Sequence, residues 1–116
     1  MTRLTIRIDF DAARQIGHGK IRLIEMIDQH GSISGAARAM DMSYRRAWLL
    51  LAEVNGMFST PAVATRLGGK GGGTATLTPF GRGLVNLYRQ IETATGKRFA
   101  QRVGELERNL APAKKS

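Results

Sequence analysis

Hydrophobic and polar positions alternate at the start of the chain and then change to a helical spacing. Between Leu4 and Phe10 every second residue is apolar, which predicts a half-buried strand. His18 lies between two glycines and is expected in a connecting loop. From Lys20 to His30 the spacing predicts a helix, which Gly31 can end and whose inner face is formed by Ile21, Leu23, Ile24 and Ile27.

The next segment predicts two short helices joined by a tight turn. The first begins at Ser32 or Ser34, since either hydroxyl can cap its free amides, and its inner face is small: Ala36, Ala37 and Met40. The turn is Asp41-Met42, and aspartate is one of the few residues that tolerate the positive φ such a turn requires. Ser43 is expected to cap the following helix, whose core-facing stripe is Ala47, Leu50, Leu51 and Val54.

A hairpin and a long helix complete the pattern. Strands are predicted over residues 62–67 and 74–77, on either side of a glycine-rich tip, and Thr78-Pro79 is a typical helix start. The helical stripe that follows contains Leu84, Leu87, Tyr88, Ile91, Phe99, Val103, Leu106 and Leu110. The prediction is an α+β fold, mainly α with a small β wing. A winged helix-turn-helix with an N-terminal strand spans residues 1–78, a long C-terminal helix 79–110 and a disordered basic tail 111–116.

Charge favours a polyanionic partner, and the residue types argue against an enzyme. The 116 residues include 18 Lys and Arg but 9 Asp and Glu, a net charge of +9. No cysteine is present, which excludes disulfides and thiolate chemistry, and no apolar run approaches the ~18 residues of a membrane span, so a cytoplasmic protein is expected. Asp9 and Asp11 are expected to be a surface pair. We therefore predict no catalytic residue, no metal site and no cofactor.

The start of the third helix and the hairpin tip hold the candidate DNA contacts. The first turn of a recognition helix meets base edges and phosphates, and here it contains Tyr44, Arg45 and Arg46. Trp48 is expected mainly to pack, with its indole N–H near a phosphate. The glycine run fits neither a Walker loop nor a dinucleotide fingerprint, so Lys70 is expected to approach a phosphate or the minor groove. The predicted DNA-binding set is Ser32, Ser34, Ser43, Tyr44, Arg45, Arg46, Trp48, Gly69, Lys70, Gly71 and Thr74.

The sequence resembles the N-terminal DNA-binding domain of ModE, the molybdate-responsive repressor, in three segments, residues 31–37, 42–48 and 68–81. That domain has a LysR-like winged-helix fold. The resemblance covers most of residues 4 to about 110. It implies a homodimer, with the initial strand and the long last helix contributing to the dimer contact, and a palindromic operator on double-stranded DNA. It also implies that residues 43–46 face the DNA, that Lys70 lies on the wing, and that molybdate-uptake or molybdoenzyme genes are regulated.

Two differences from that family affect the expected function. Full-length ModE proteins carry C-terminal oxyanion-binding modules with a Ser-Ala-Arg-Asn signature, which this sequence lacks. Direct molybdate binding is therefore not expected, unless a separate molybdate-sensing partner supplies it or the last helix has acquired a site. Arg46 stands where a small polar residue is common in the family, so the operator sequence is expected to differ from that of the family. The alternatives are a nonspecific nucleoid-type protein, a small oxyanion sensor, and a winged helix that binds a protein through Tyr44 and Trp48.

Overall fold

The computed structural model describes residues 2–66 and 73–113 and confirms the predicted α+β winged-helix fold. The elements are β1 (Arg7–Asp9), β2 (Gln15–Gly17), α1 (His18–His30), α2 (Ile33–Ala39), α3 (Tyr44–Met57), β3 (Val63–Arg66), β4 (Thr74–Leu77), α4 (Pro79–Arg98) and α5 (Ala100–Arg108). β1 pairs with β2 and β3 with β4, both antiparallel. The predicted tip residues Gly69, Lys70 and Gly71, and residues 114–116 of the predicted tail, lie outside the described part.

The N-terminal strand is shorter than predicted, and it has a partner. Only Arg7–Asp9 forms β1, and it pairs with β2, a three-residue strand too short to show an alternating pattern. In the connecting turn Asp11 accepts hydrogen bonds from the amides of Ala13 and Arg14 at 3.0 and 2.7 Å. Because β2 runs directly into α1, the helix begins at His18, and the prediction that His18 lies in a loop is wrong.

The core lies where α1, α2, α3 and the β3–β4 hairpin meet. All four predicted inner residues of α1 are buried, as are Ala36 and Ala37 of α2. On α3, three of the four predicted stripe residues are buried and Leu50 is half-buried. The predicted backbone conformations are confirmed, since Gly31 has a φ of 73° and Asp41 a φ of 54°. Each large aliphatic side chain buried here contributes roughly 1.5–3 kcal/mol of transfer free energy.

The C-terminal helical segment is not one helix. α4 begins as predicted, with the Thr78 hydroxyl accepting from the Gly81 amide at 3.0 Å, but it ends at Arg98. Phe99 separates α4 from α5, which corrects the single helix predicted over 79–110. Of the predicted α4 stripe only Tyr88 is buried, and its hydroxyl donates to the Ile6 carbonyl at 2.6 Å. Leu87 is 57% exposed, so part of the apolar face of α4 does not pack within this chain.

An ion-pair cluster connects the N-terminal segment, α1 and α4. Arg89 donates to the two carboxylate oxygens of Glu25 at 2.7 and 3.0 Å and to Glu92 at 2.6 Å. The hydrogen bond from Arg89 lowers the pKa of Glu25. Burial, then the positive charges of Arg3 and Arg89, lower the pKa of His18. The Arg3 guanidinium lies 2.9 Å from a ring nitrogen of His18, so the cluster favours the neutral imidazole as an acceptor.

Candidate nucleic-acid interface

Two capped helices and the turn between them place the first turn of α3 on the surface. The Ser32 hydroxyl accepts from the Gly35 amide at 3.0 Å, so Ser32 rather than Ser34 caps α2. The Ser43 hydroxyl accepts from the Arg46 amide at 3.1 Å and caps α3, as predicted. Since the opposite side of α3 faces the core, the side chains of the first turn, Tyr44, Arg45 and Arg46, are all exposed.

Trp48 extends this exposed surface along α3. It is 50% exposed, so the prediction that it mainly packs is wrong. Ala47 and Leu51 fill the core side of the helix, and Trp48 is rotated by about 100° from Ala47, the angle between successive helical residues. It lies one turn after Tyr44, which is 54% exposed, and the two aromatic side chains share one side of the helix.

The base of the wing is fixed to the helix-turn-helix by side-chain and backbone hydrogen bonds. The Asn55 side chain, near the end of α3, accepts from the amides of Ala62 and Val63 and donates to the Val63 carbonyl at 3.0 Å. The Ala75 amide of β4 donates to the Gly31 carbonyl at 2.9 Å. Sequence reasoning missed Asn55, whose signal was a polar residue bordering the apolar stripe of α3. These bonds determine where β3 and β4 lie relative to α3.

A cavity of about 150 Å³ lies between α3 and the base of the wing. Five of the predicted DNA contacts line it: Ser32, Ser34, Tyr44, Trp48 and Thr74. Thr65 and Arg66 of β3 also line it, although the sequence did not single them out. Ser43, Arg45 and Arg46 are exposed at the start of α3 but are not cavity-lining residues. The structure thus brings the start of α2, α3 and both wing strands to one surface.

The positive charge at this surface is not neutralised by nearby carboxylates. Within residues 2–66 and 73–113, Arg45, Arg46 and Arg66 form no ion pair with an acidic side chain. Seven of the nine acidic residues pair with basic residues elsewhere, for example Asp9 with Arg7 at 3.0 Å and Glu53 with Lys20 at 3.2 Å, whereas Asp41, in the turn before α3, forms no ion pair among the described residues. Asp9 and Asp11 both lie on the surface, as expected. An anionic ligand therefore meets uncompensated guanidinium groups here.

In residues 2–66 and 73–113, no three His, Asp or Glu side chains are grouped so that they could hold a metal ion. None of the helices in those ranges is both long enough and apolar enough to span a bilayer.

Comparisons with known proteins find relatives among curated sequences, whereas no protein-family model matches. The chain is 39% identical over 85 residues to the molybdenum-pterin-binding protein MopA of Rhodobacter capsulatus, covering 73% of this chain and 32% of that protein. It is 37% identical over 99 residues to MopB of the same organism, a match that covers 85% of this chain and 36% of MopB. It is 38% identical over 80 residues to the DNA-binding transcriptional dual regulator ModE of Escherichia coli, a match that covers 69% of this chain and 30% of that protein. The chain spans about a third of the length of these relatives, which are named as regulators or binding proteins and not as enzymes.

Proposed function

Because this chain matches the N-terminal region of ModE-type proteins, we propose that it is a sequence-specific transcriptional regulator of molybdate-transport or molybdenum-related genes. One observation carries the proposal: the exposed first turn of α3 and the base of the wing lie on the same positively charged surface. Winged helix-turn-helix proteins place these two elements on adjacent parts of a duplex. No cofactor is needed for that contact.

In the proposed mechanism α3 enters the major groove. Arg45 and Arg46 reach base edges, where a bidentate arginine–guanine contact discriminates by about 1–3 kcal/mol. Ser43 and the wing, including the predicted contact Lys70, hold the backbone and set the register of the helix on the duplex. Occupancy of the operator then obstructs or recruits polymerase.

We also propose that a second copy of this chain covers the apolar face of α4. This face forms a groove of about 350 Å³ whose lining is almost entirely apolar and includes Ile8, Phe10, Phe80, Leu84, Leu87 and Ile91. Phe58 packs between Phe10 and Phe80, with ring centroids 5.8 and 5.0 Å away. An apolar groove open to water is costly, and a two-fold partner would remove it from solvent. Two-fold symmetry would also present two α3 helices to a palindromic operator.

Competition between operator and random DNA tests the proposed function. Genomic binding sites are mapped first, and the strongest site is titrated with the purified protein at fixed salt. We expect a preference of ~10³ or more for the operator, because base contacts add to the phosphate contacts that every duplex offers. Equal affinity for both duplexes would instead support the nucleoid-type alternative. Calorimetry with molybdate on the same protein tests the oxyanion-sensor alternative, for which we expect no heat.

Leu87→Asp tests the dimer. A carboxylate in the middle of the apolar groove would have to be desolvated on association, so we expect a monomer in sedimentation experiments and a loss of operator binding. Gln90→Asp is the matched control, since it adds the same charge on an exposed position of α4 that does not line the groove. A Leu87→Asp protein that sediments as a dimer would place the interface elsewhere.

A further inference from the structure

We infer that the cavity between α3 and the base of the wing seats one phosphodiester of the DNA backbone together with its deoxyribose, and that Arg66 is the residue that neutralises this phosphate. The inference rests on the proposed function and adds a backbone contact that the sequence motifs do not indicate. Of the predicted cationic contacts, Arg45 and Arg46 lie at the start of α3, and Lys70 is predicted at the tip of the wing, outside the described residues. Arg66 lies between these regions along the chain, at the end of β3.

The chemistry of the cavity walls matches a sugar-phosphate unit. Thr65, Arg66 and Thr74 line one side of the cavity, and Tyr44 and Trp48 line the other. Arg66 and Thr74 are directly paired in the β3–β4 ladder, so their side chains share one face of the hairpin. Among the residues that the structure describes, none that lines the cavity is acidic. Hydroxyls and arginine are typical phosphate ligands, whereas a ribose ring presents C–H groups to an aromatic surface. A cavity of about 150 Å³ accommodates the deoxyribose ring, so the phosphate would lie at the open edge of the cavity, against Arg66.

The position of Arg66 is set before any ligand arrives. Its backbone is paired with Thr74 in the β3–β4 ladder, and β3 begins at Val63, which the Asn55 side chain attaches to α3. Arg66 is exposed, and within the described ranges no carboxylate pairs with its guanidinium. The backbone of Arg66 is therefore ordered before binding, and only its side chain has to be ordered when it binds a phosphate.

Trp48 explains the apolar half of the cavity. A tryptophan that is 50% exposed in the free protein is available to a ligand. Its indole N–H is a hydrogen-bond donor and cannot accept, so it suits a ligand that offers an acceptor oxygen. Ala47 and Leu51 fill the core beneath α3, and half of the Trp48 surface remains uncovered by the rest of the fold. Packing against a deoxyribose would cover the ring, and a phosphate oxygen would accept from the indole.

The salt dependence of DNA affinity is the discriminating measurement. Each phosphate contact adds about 0.9 to the steepness with which the logarithm of the DNA-binding constant falls against the logarithm of the salt concentration. Arg66→Ala should therefore make this slope shallower by about one. It should also weaken binding to operator and to random DNA equally, by about tenfold. Arg66→Lys keeps the charge and should keep most of the slope. Arg102→Ala removes the same charge from the exposed surface of α5, where Arg102 pairs with Glu105, and should leave the slope unchanged. Trp48→Ala should weaken binding without changing the slope.

A second measurement identifies the phosphate itself. Single methylphosphonate linkages, which are uncharged, are placed at successive positions of the operator and titrated with the wild-type and Arg66→Ala proteins. We expect one position in each half-site where neutralisation weakens the wild type but has no further effect on the variant. If wild type binds the operator and Arg66→Ala binds it with the same affinity and slope, the inference is wrong while the proposed function stands. If wild type binds no DNA, the proposed function fails first.

Discussion

Replacing Arg45 and Arg46 together by alanine is expected to abolish operator binding while the fold and the dimer remain intact. Both side chains are exposed in the first turn of α3, and neither is ion-paired with a carboxylate within the described residues, so the folded protein loses little when they are removed. Each guanidinium that reaches a base edge contributes about 1–3 kcal/mol, and the double variant should therefore lose roughly a hundredfold or more in operator affinity.

The pattern of this loss differs from that of a phosphate contact. Base-reading arginines contribute to the preference for the operator, so the ratio of operator to random affinity should shrink, whereas removing a phosphate contact leaves that ratio unchanged. Titration of both duplexes at one salt concentration, together with sedimentation and thermal melting, separates the outcomes. The double variant Arg102→Ala, Arg108→Ala removes the same charge from α5 and serves as the control. Unchanged operator affinity in the first variant would contradict the assignment of α3 as the reading helix.

The second large effect concerns stability, at Gly81. The Ala62 carbonyl accepts from the amide and the hydroxyl of Thr78 at 3.0 and 3.2 Å, and it lies directly against the Cα of Gly81 in the first turn of α4. A methyl group at position 81 would overlap this carbonyl oxygen, which is backbone and cannot rotate away. To relieve the overlap, α4 would have to move away from the base of the wing. Gly81→Ala should therefore lower the free energy of unfolding by about 3 kcal/mol, even though alanine has a better helix propensity than glycine.

Thermal melting measures this effect, and α4 supplies its own control. A loss of about 3 kcal/mol should lower the melting temperature by roughly 10 °C in a domain of this size. Gly96→Ala lies on the same helix with open space around the added methyl, so it should be neutral or stabilise by up to about 1 kcal/mol. Equal melting temperatures for the two variants would show that the Ala62 carbonyl moves aside at little cost.

Local patterns allowed much of the fold to be predicted, because its helices begin and end where short-range chemistry requires it. The caps at Ser32, Ser43 and Thr78, the left-handed Gly31 and the positive φ of Asp41 each depend on a few neighbouring residues. β2 was missed because three residues cannot show a period. The helix break at Phe99 was missed because the nearby Gly96 lies inside α4 and neither glycine nor proline stands at the break itself.

The candidate site was harder to predict, because its geometry depends on long-range contacts. An amphipathic stripe looks the same whether it packs within the chain or against a partner, so the sequence could not distinguish buried Tyr88 from exposed Leu87. Trp48 was assigned to packing for the same reason. Arg66 looked like one basic residue among many until Asn55 and the strand pairing placed it beside α3. The residue types were enough to predict which surface binds DNA, but the cavity on that surface could be recognised only from the structure.

The hydrogen bonds of Ala62 have a consequence for operator length. Its amide donates to the Asn55 side chain of α3 at 2.9 Å, and its carbonyl accepts from Thr78 at the start of α4, so a single residue joins the reading helix to the helix that carries the proposed dimer surface. In the proposed dimer, a change in the tilt of α4 against its partner would therefore be passed on to α3 through this residue. The distance between the two half-sites that such a dimer could span would then depend on Ala62, some way from every base.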